Sequence, residues 1–504
     1  MDTDTHTHNL SRLLKRYERA KARRRGWENH WQDCYDYALP GRGGFSREYA
    51  PGHPETDHLF DGTAMDAVDQ LTASLLGRLT PPGTSWFGFK PGPDLTPAEA
   101  DALAPVLEQA GKTMQAHFDR SNFSVEIHQS YLDLVVGGTA VLLLEETDPG
   151  SFSAFQFTAV PLRDVVLEEG ENGYLDGIFR TLSLTLMQIK DRYPDVVLPP
   201  SVIRAGDQDE QARFSIIESV LPSPGYGYDY HAVLMTDAIP ALLTQGMFHH
   251  SPAMAFRWMK SPGEMYGRSP IMKALPDIKT ANKVVELILK NASIAATGIW
   301  QADDDGVLNP ANIELVPGAI IPKAVGSQGL KALEMPGRFD VSQLVLEDLR
   351  ARIRHALLTD KLGQINTSRM TATEVLERSS EMTILLGATY GRLQCELLTP
   401  LIRRAYAILR RRGEIPDIAL DGRYVTLDYR MPLARAQGQQ VAQDILIWMK
   451  AMTQLGSDAL SSVDMGKTAR YIGDALGIPA DLIRQDTSLP ISHINMETTE
   501  HDQR

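Results

Sequence analysis

Apolar residues recur every three or four positions near the start of the chain, and this period predicts two helices. The first helix begins at Leu13 and ends at Pro40, while residues 1–10 are expected to fray. The second covers GTAMDAVDQLTASLLGRL and ends at the breaker TPPGTSWFGF. The residues that set the period of the first helix are Leu14, Tyr17, Trp27, Trp31 and Tyr35.

Between about Val135 and Lys260 the pattern changes to short apolar stretches separated by turn residues. TAVLLLEE follows the turn Gly137–Gly138, and FSAFQFTAV alternates apolar and polar residues as a half-buried strand does. A hairpin is predicted around Glu171–Gly173, because Asn-Gly favours the positive φ angles of a tight turn. LTLMQIKDRYP predicts a short helix, and RFSIIESVLP and HAVLMTD predict further strands. This region is therefore expected to be an α+β domain built on antiparallel sheet.

A long helix is predicted over GRSPIMKALPDIKTANKVVELILKNASIAATG, with Ser269 as N-cap and Pro270 at its first position. Its apolar stripe is widened by Val284, Leu287 and Leu289, so we expect this helix to pack against neighbours on two flanks. The apolar stripe comprises Ile278, Ala281, Val285, Ile288 and Ala292. A second, polar stripe comprises Lys279, Lys283, Glu286 and Lys290.

Two further helices follow, separated by a long polar loop. After Gly298 comes an insert rich in short strands and turns, and then the helix VSQLVLEDLRARIRHALLTD. The polar stretch DKLGQINTSRM leads to TATE, a capping box of Thr371 and Glu374 that starts a long helix. Pro400 is expected to kink that helix, and Gly413 ends it after three arginines. The apolar face of the helix before the loop is formed by Leu346, Leu349, Ile353 and Leu357.

Composition and charge limit the class of protein. The 504 residues are 43% hydrophobic and 23% charged, which is ordinary for globular domains. A net charge of -14 argues against a protein that binds nucleic acid over its whole surface. Cys34 and Cys395 lie far apart and predict free thiols in a reducing compartment. No apolar run is long enough to cross a bilayer and the N-terminus is unlike a signal peptide, so we expect a chain that is cytosolic or assembled in cytosol.

Signatures of catalysis fail when their spacing is examined. MGKT, from Met465 to Thr468, resembles the end of a phosphate-binding loop, but Ser461 stands where that motif needs glycine. The run Asp303–Asp305 lacks the spacing of a calcium loop and favours a solvated turn. His249 and His250 are adjacent and have no further ligand at zinc spacing. We therefore expect no enzyme activity, no metal and no cofactor.

A cationic patch lies on the first predicted helix, from Lys15 through Arg25. Two interpretations remain open from the sequence. The patch is either a solvated face in contact with an acidic neighbour, which the pattern favours, or a nucleic-acid contact.

Four segments of the chain carry a family resemblance in an unbroken order. LFDGTAMDAVDQLTASLLGRLTPPGTSWFGF, AVPLRDVVLEEGENGYLDGIFRTLSLTLMQI, MYGRSPIMKALPDIKTANKV and RMTATEVLERSSEMTILLGATYGRLQCELLTPLIRR resemble the head-to-tail connector, or portal, proteins of short-tailed bacteriophages. The likeness covers about Leu13 to Pro432.

This resemblance implies an α+β portal fold assembled as a ring of twelve subunits around a channel. It implies a strand-rich wing, a helical stem, a small β-containing clip and a C-terminal helical crown. The ranges expected from it are N-terminal helices and wing 1–267, stem helices 268–296 and 341–361, clip 297–340, tunnel loop 362–370, long wing helix and wing strand 371–432, and crown with tail 433–504.

The resemblance also implies site residues and partners. The channel would pass double-stranded DNA without regard to sequence, at the capsid vertex of a virion assembled in the host cytoplasm. A terminase and a tail adaptor would dock in turn on the clip, and the major capsid protein or scaffold would surround the ring, with no membrane contact. Expected DNA-channel residues are Lys361, Gln364, Asn366, Thr367, Ser368 and Arg369 in the tunnel loop, with Lys279, Lys283 and Lys290 in the stem. Expected partner-binding residues of the clip are Asp303, Asp304, Asp305, Lys323 and Lys331.

Alternatives remain for the loop and for the whole chain. The polar loop could be a simple hinge between domains. The chain could also be another structural protein of the virion neck or tail. A terminase-like ATPase is disfavoured, because it would need an intact phosphate-binding loop and clustered carboxylates.

Overall fold

The computed structural model describes residues 3–45, 56–236, 240–297, 300–301, 331–332, 339–360, 387, 389–455 and 463–476. The tunnel loop expected at 362–370, the capping box at Thr371 and most of the insert after Gly298 lie outside the described residues. Within the described part, helices and antiparallel sheets are mixed, so the α+β class is confirmed.

Two of the N-terminal helices were predicted, and two others were not. α1 (Thr3–Ala38) begins before Leu13, so the expectation of a frayed N-terminus is wrong: once a helix is nucleated by packing, polar residues can extend it. α2 (Thr63–Leu79) agrees with the apolar period. Sequence reasoning missed α3 (Pro97–Arg120) and α4 (Phe123–Gly137). Val135 belongs to α4 and not to a strand.

Most of the strands belong to two antiparallel sheets. The three-stranded sheet contains β2 (Thr139–Glu146), β3 (Phe155–Val160) and β9 (Ala253–Arg257), in the order β3–β2–β9. The five-stranded sheet contains β4 (Val165–Glu168), β5 (Gly177–Thr185), β6 (Arg213–Pro222), β7 (Tyr228–Leu234) and β8 (Ala241–Phe248), and each strand lies beside the next. The predicted hairpin joins β4 to β5, and Gly173 has φ +76 in its turn.

Helices cover both faces of the five-stranded sheet, because successive apolar residues of its central strands point to opposite faces. Ile217 and Val233 contribute to a core with Tyr17 of α1. Ile216 and Ala232 point to the other face and pack with two short helices. These helices are α5 (Leu186–Arg192) and α6 (Pro200–Gln208).

A close backbone crossing joins the three-stranded sheet to the following helix. Gly138 ends α4 with φ +75 and lies against Gly267. Its carbonyl accepts a hydrogen bond from the Trp258 amide at 2.9 Å, and the Gly267 amide donates to Thr139 Oγ1 at 2.8 Å. A Cβ atom on either glycine would overlap the backbone of the other.

Helices dominate the rest of the described residues. α7 (Pro270–Thr297) and α8 (Phe339–Ala356) pack together and are separated in sequence by the insert, of which the described part pairs β10 (Trp300–Gln301) with β11 (Lys331–Ala332). A π turn, Gln394–Leu398, leads into α9 (Thr399–Arg411), so the irregularity expected at Pro400 begins just before it. The last elements are β12 (Val425–Tyr429), which pairs with β1 (Phe87–Pro91), then α10 (Pro432–Leu455) and α11 (Met465–Leu476). Among the described residues, no helix has both the length and the apolar character that a membrane span requires.

Candidate functional site

The pair α7 and α8 forms the centre of the candidate site. Ser269 caps α7 as predicted, since its Oγ accepts a hydrogen bond from the Met272 amide at 2.9 Å. The predicted face of α8 is buried in full, and the apolar face of α7 is buried from Ile271 through Ala281. Beyond Ala281 the helix becomes progressively more exposed, and Leu287 and Leu289 are 48% and 52% accessible. The second apolar flank of α7 is thus uncovered in the part of the chain that the structure describes.

Polar contacts fix both helices to the segment before α2. The Asn282 amide bridges three backbone groups: Oδ1 accepts from the amides of Phe60 (2.6 Å) and Asp61 (3.1 Å), and Nδ2 donates to the His58 carbonyl (2.9 Å). Arg350 of α8 donates to the Asp61 carboxylate at 2.9 Å. Burial raises the pKa of Asp61, but hydrogen bonds from Thr63 and Arg350 outweigh it and leave the pKa lowered. The base of the helix pair is therefore rigidly held.

The three lysines of the polar stripe are all engaged with carboxylates of the same chain. Lys279 pairs with Asp33 of α1 at 2.7 Å and lies over the Tyr37 ring. Lys283 and Lys290 are exposed and share Glu286, at 2.9 and 2.5 Å. Hydrogen bonds from Lys290 and Lys283 lower the pKa of Glu286, which keeps its carboxylate charged. The exposed part of the stripe thus carries a small net positive charge.

A buried ion pair joins β9 to the π turn before α9, and it was not predicted from the sequence. The fully buried Arg257 of β9 donates to Glu396 of the π turn at 2.6 Å and to Glu169 at 3.1 Å. Glu396 also accepts from the Arg257 amide at 2.9 Å and from Arg392 at 3.0 Å. Burial lowers the pKa of Arg257, but hydrogen bonds to Glu396 outweigh it, and the pKa is raised. A glutamate flanked by Leu393, Leu397 and Leu398 was the signal available in the sequence.

The cationic patch of α1 is partly structural. Arg24 is buried, pairs with Glu28 at 2.9 Å and donates to the carbonyls of Arg163 (2.8 Å) and Val165 (2.6 Å). Arg16 pairs with Glu168. The remaining exposed cations of the patch are Lys15, Arg19, Arg23 and Arg25.

One of the rejected catalytic motifs has a structural role. Met465 begins α11, and Asp464 caps it by accepting from the Lys467 amide at 3.0 Å, so MGKT is the first turn of a helix. Cys34 and Cys395 are free, and burial raises the pKa of the Cys34 thiol to about 12. In the part of the chain that the structure describes, no three histidine, cysteine or acidic residues are grouped as a metal site.

The structure describes only some of the sequence-predicted site residues. Lys279, Lys283 and Lys290 lie together on α7, as the stripe required. Lys331 lies in β11, and nothing is described of its side chain. The others lie outside the described residues: Asp303, Asp304, Asp305, Lys323, Lys361, Gln364, Asn366, Thr367, Ser368 and Arg369.

Comparison with known proteins finds similarity to one family over nearly the whole chain. Residues 10–483 match the family described as bacteriophage head to tail connecting protein. A probable portal protein of Bordetella phage BPP-1 is 24% identical over 499 residues, covering 94% of this chain and 88% of the relative. The portal protein of Salmonella phage epsilon15 is 24% identical over 505 residues, with the same coverage of 94% and 88%. The portal protein of Escherichia phage T7 is 22% identical over 483 residues, covering 92% and 86%.

Proposed function

Because this chain belongs to the family of bacteriophage head-to-tail connecting proteins, we propose that copies of it close into a ring around a DNA channel. Its role is that of a phage portal, which is a structural connector of the virion and not an enzyme. The proposed ring has twelve subunits, lies at the capsid vertex and passes double-stranded DNA during packaging and ejection. Its assembly takes place in the host cytoplasm.

The observation that carries the ring proposal is the uncovered apolar flank of the helix pair. Leu287 and Leu289 of α7, with Leu344 and Val345 of α8, are large apolar side chains exposed on neighbouring helices. A single chain gains nothing by exposing such residues together, whereas a neighbouring copy can bury them. In a closed ring every subunit presents one such flank to the next, so all copies are satisfied at once.

The same geometry supports a channel that holds DNA weakly. In the proposed division, residues 268–296 and 341–361 form the stem, 297–340 the clip, 362–370 the tunnel loop and 433–504 the crown and tail. Residues 1–267 and 371–432 form the wing. Lys283 and Lys290 already share Glu286, so each can exchange that carboxylate for a passing phosphate without a large barrier.

The tunnel loop supplies the remaining proposed contacts. Lys361 and Arg369 would meet phosphates transiently, and the neutral side chains between them would hydrogen-bond without reading bases. These neutral residues are Gln364, Asn366, Thr367 and Ser368.

Partners are proposed for the clip and for the outside of the ring. A terminase would dock on the clip during packaging, a tail adaptor would replace it, and the major capsid protein or scaffold would surround the wing. The proposed clip contacts are Asp303, Asp304, Asp305, Lys323 and Lys331.

Mass measurement with imaging tests the ring. Twelve copies of the 55.8 kDa chain total about 670 kDa. We expect rings with a central hole by electron microscopy, and a mass near that value by mass photometry. Replacing Leu287 and Leu289 by aspartate would place charge in the interface, so the mass distribution should shift to the single chain.

The matched control is Val197→Asp together with Tyr226→Asp, which adds the same two charges at exposed apolar residues outside the helix pair. Equal assembly of the two variants, or particles without a hole, would contradict the proposal. A compact particle without rotational symmetry would favour another neck or tail protein, and ATP turnover by the purified chain would favour a terminase-like ATPase.

A further inference from the structure

A cavity of about 680 Å³ lies between the three-stranded and five-stranded sheets, next to α9. This volume is within the range of small-molecule binding sites in proteins. Its inner wall is largely hydrocarbon, contributed by both sheets. The wall includes Val141, Leu143, Ile178, Val220 and Leu243.

Charged side chains also line the cavity. Asp195 is exposed and forms no ion pair among the described residues, and all but one of the others are paired. Arg192 pairs with Glu218 at 2.8 Å and with Glu145 at 3.3 Å. Arg180 lies 3.6 Å from Glu218, and Arg411 pairs with Glu146. Within this set the positive and negative charges therefore balance.

Arg404 of α9 is the exception. Its side chain lines the cavity while the residue is only 5% exposed, and no carboxylate among the described residues lies within ion-pair distance of it. Nη1 donates weakly to the His250 carbonyl at 3.4 Å, and Nε has no hydrogen-bond partner among the described residues. The guanidinium otherwise rests on the Phe248 ring, 5.0 Å from its centroid.

A buried cation without a carboxylate is an unusual and costly arrangement in a folded protein. Burial, with repulsion from Arg411, lowers the pKa of Arg404 to about 10. Attraction from Glu146 and Glu145 opposes this shift without forming an ion pair, and the side chain stays charged at neutral pH. An anion at this position would supply the missing charge and accept the free Nε–H group. Planar guanidinium groups match carboxylates in geometry.

The surroundings distinguish between classes of anion. Glu145, Glu146 and Glu218 line the same cavity, so a second negative charge on the ligand would be repelled. One unpaired cation and an apolar wall together fit a single carboxylate that carries a hydrocarbon body. We propose that this cavity binds an amphipathic monocarboxylate, with its carboxylate on Arg404 and its apolar body between the two sheets.

Isothermal titration calorimetry on the full chain tests the proposal with three eight-carbon probes. Octanoate should bind at least about tenfold more tightly than 1-octanol, because octanol lacks the charge that Arg404 pairs with. Octyl phosphate, which approaches two negative charges at pH 8, should bind more weakly than octanoate. Octanoate that binds no better than octanol would overturn the proposal using the unaltered protein alone.

Two variants assign the binding to Arg404. Arg404→Met removes the charge at similar length, and we expect it to weaken octanoate by about tenfold or more while leaving octanol unchanged. Arg410→Met is the matched control, since Arg410 lies on the same helix but is exposed and pairs with Asp417 at 3.1 Å. If both variants bind octanoate as the unaltered chain does, the assignment is wrong. Should Arg404→Met fail to fold, the comparison of probes on the unaltered chain still decides the matter. The test does not depend on the ring.

Discussion

Replacing Glu396 by glutamine removes one charge from the buried ion pair while keeping the size of the side chain. Arg257 is fully buried. It donates hydrogen bonds to the Glu396 carboxylate from its backbone amide at 2.9 Å and from its guanidinium at 2.6 Å. Breaking a buried pair by removing one partner typically costs about 3–5 kcal/mol. Glu169 remains 3.1 Å from the guanidinium as a second carboxylate, so we expect a value near the lower end.

Hydrogen–deuterium exchange measured by mass spectrometry reports this loss locally. A cost of about 3 kcal/mol corresponds to roughly a hundredfold faster exchange through local opening. The increase should appear in peptides that contain β9 and the π turn Gln394–Leu398, because these two elements meet at the pair.

The matched control is Asp417→Asn, which breaks the exposed pair with Arg410. Exposed pairs contribute at most about 1 kcal/mol, so exchange near Asp417 should change by no more than about fivefold. If β9 in Glu396→Gln exchanged within threefold of the unaltered protein, the ion pair would not hold the π turn to the sheet and the argument would fail.

Two further predictions concern His250 and the two cations of the proposed tunnel loop, Lys361 and Arg369. Burial, with repulsion from Arg404, lowers the pKa of His250, so the stability it contributes is present above its ordinary value of 6.5 and is lost as pH falls through the lowered pKa. His250→Gln should therefore show a smaller drop in melting temperature than the unaltered chain between pH 7.5 and pH 5; equal drops in the two proteins would refute this. Replacing Lys361 and Arg369 by alanine should leave rings intact and reduce packaged DNA per particle, with Lys112→Ala as the control on an exposed cation of α3; unchanged packaging would rule out a contact role.

Local signals in the sequence predicted local structure well. The Ser269–Pro270 start of α7 and the Asn-Gly turn between β4 and β5 depend only on neighbouring residues, and both are observed. Gly413 likewise has φ +73 directly after the arginines that end α9. Such signals are reliable because the physical requirement lies within a single turn of chain.

Burial on all sides misled the prediction at α4. The stretch from Tyr131 to Gly137 is entirely buried, so its apolar residues show no helical period and resemble a buried strand. The start of α3 was detectable, because Thr96 and Glu99 form a capping box, yet it was overlooked. Sequence pattern therefore favours helices that keep one face in water.

Contacts between distant residues could not be predicted from one sequence. Lys279 pairs with Asp33, which lies 246 positions away, and Arg257 pairs with Glu396 at a separation of 139. The periodicity of α7 showed that Lys279 shares a stripe with Lys283, but not that its charge is already neutralised. For that reason Lys279 is less available for the proposed DNA contact than its spacing suggested.

The crossing of Gly138 and Gly267 has a consequence for reading more distant members of the family. Neither position can carry a side chain while the α4 end and the approach to α7 stay in backbone contact. A homologue that keeps this crossing must therefore have glycine at both sites, even where the surrounding sequence has diverged. The two glycines therefore mark a fixed point for aligning very divergent chains, where the three-stranded sheet meets the start of α7.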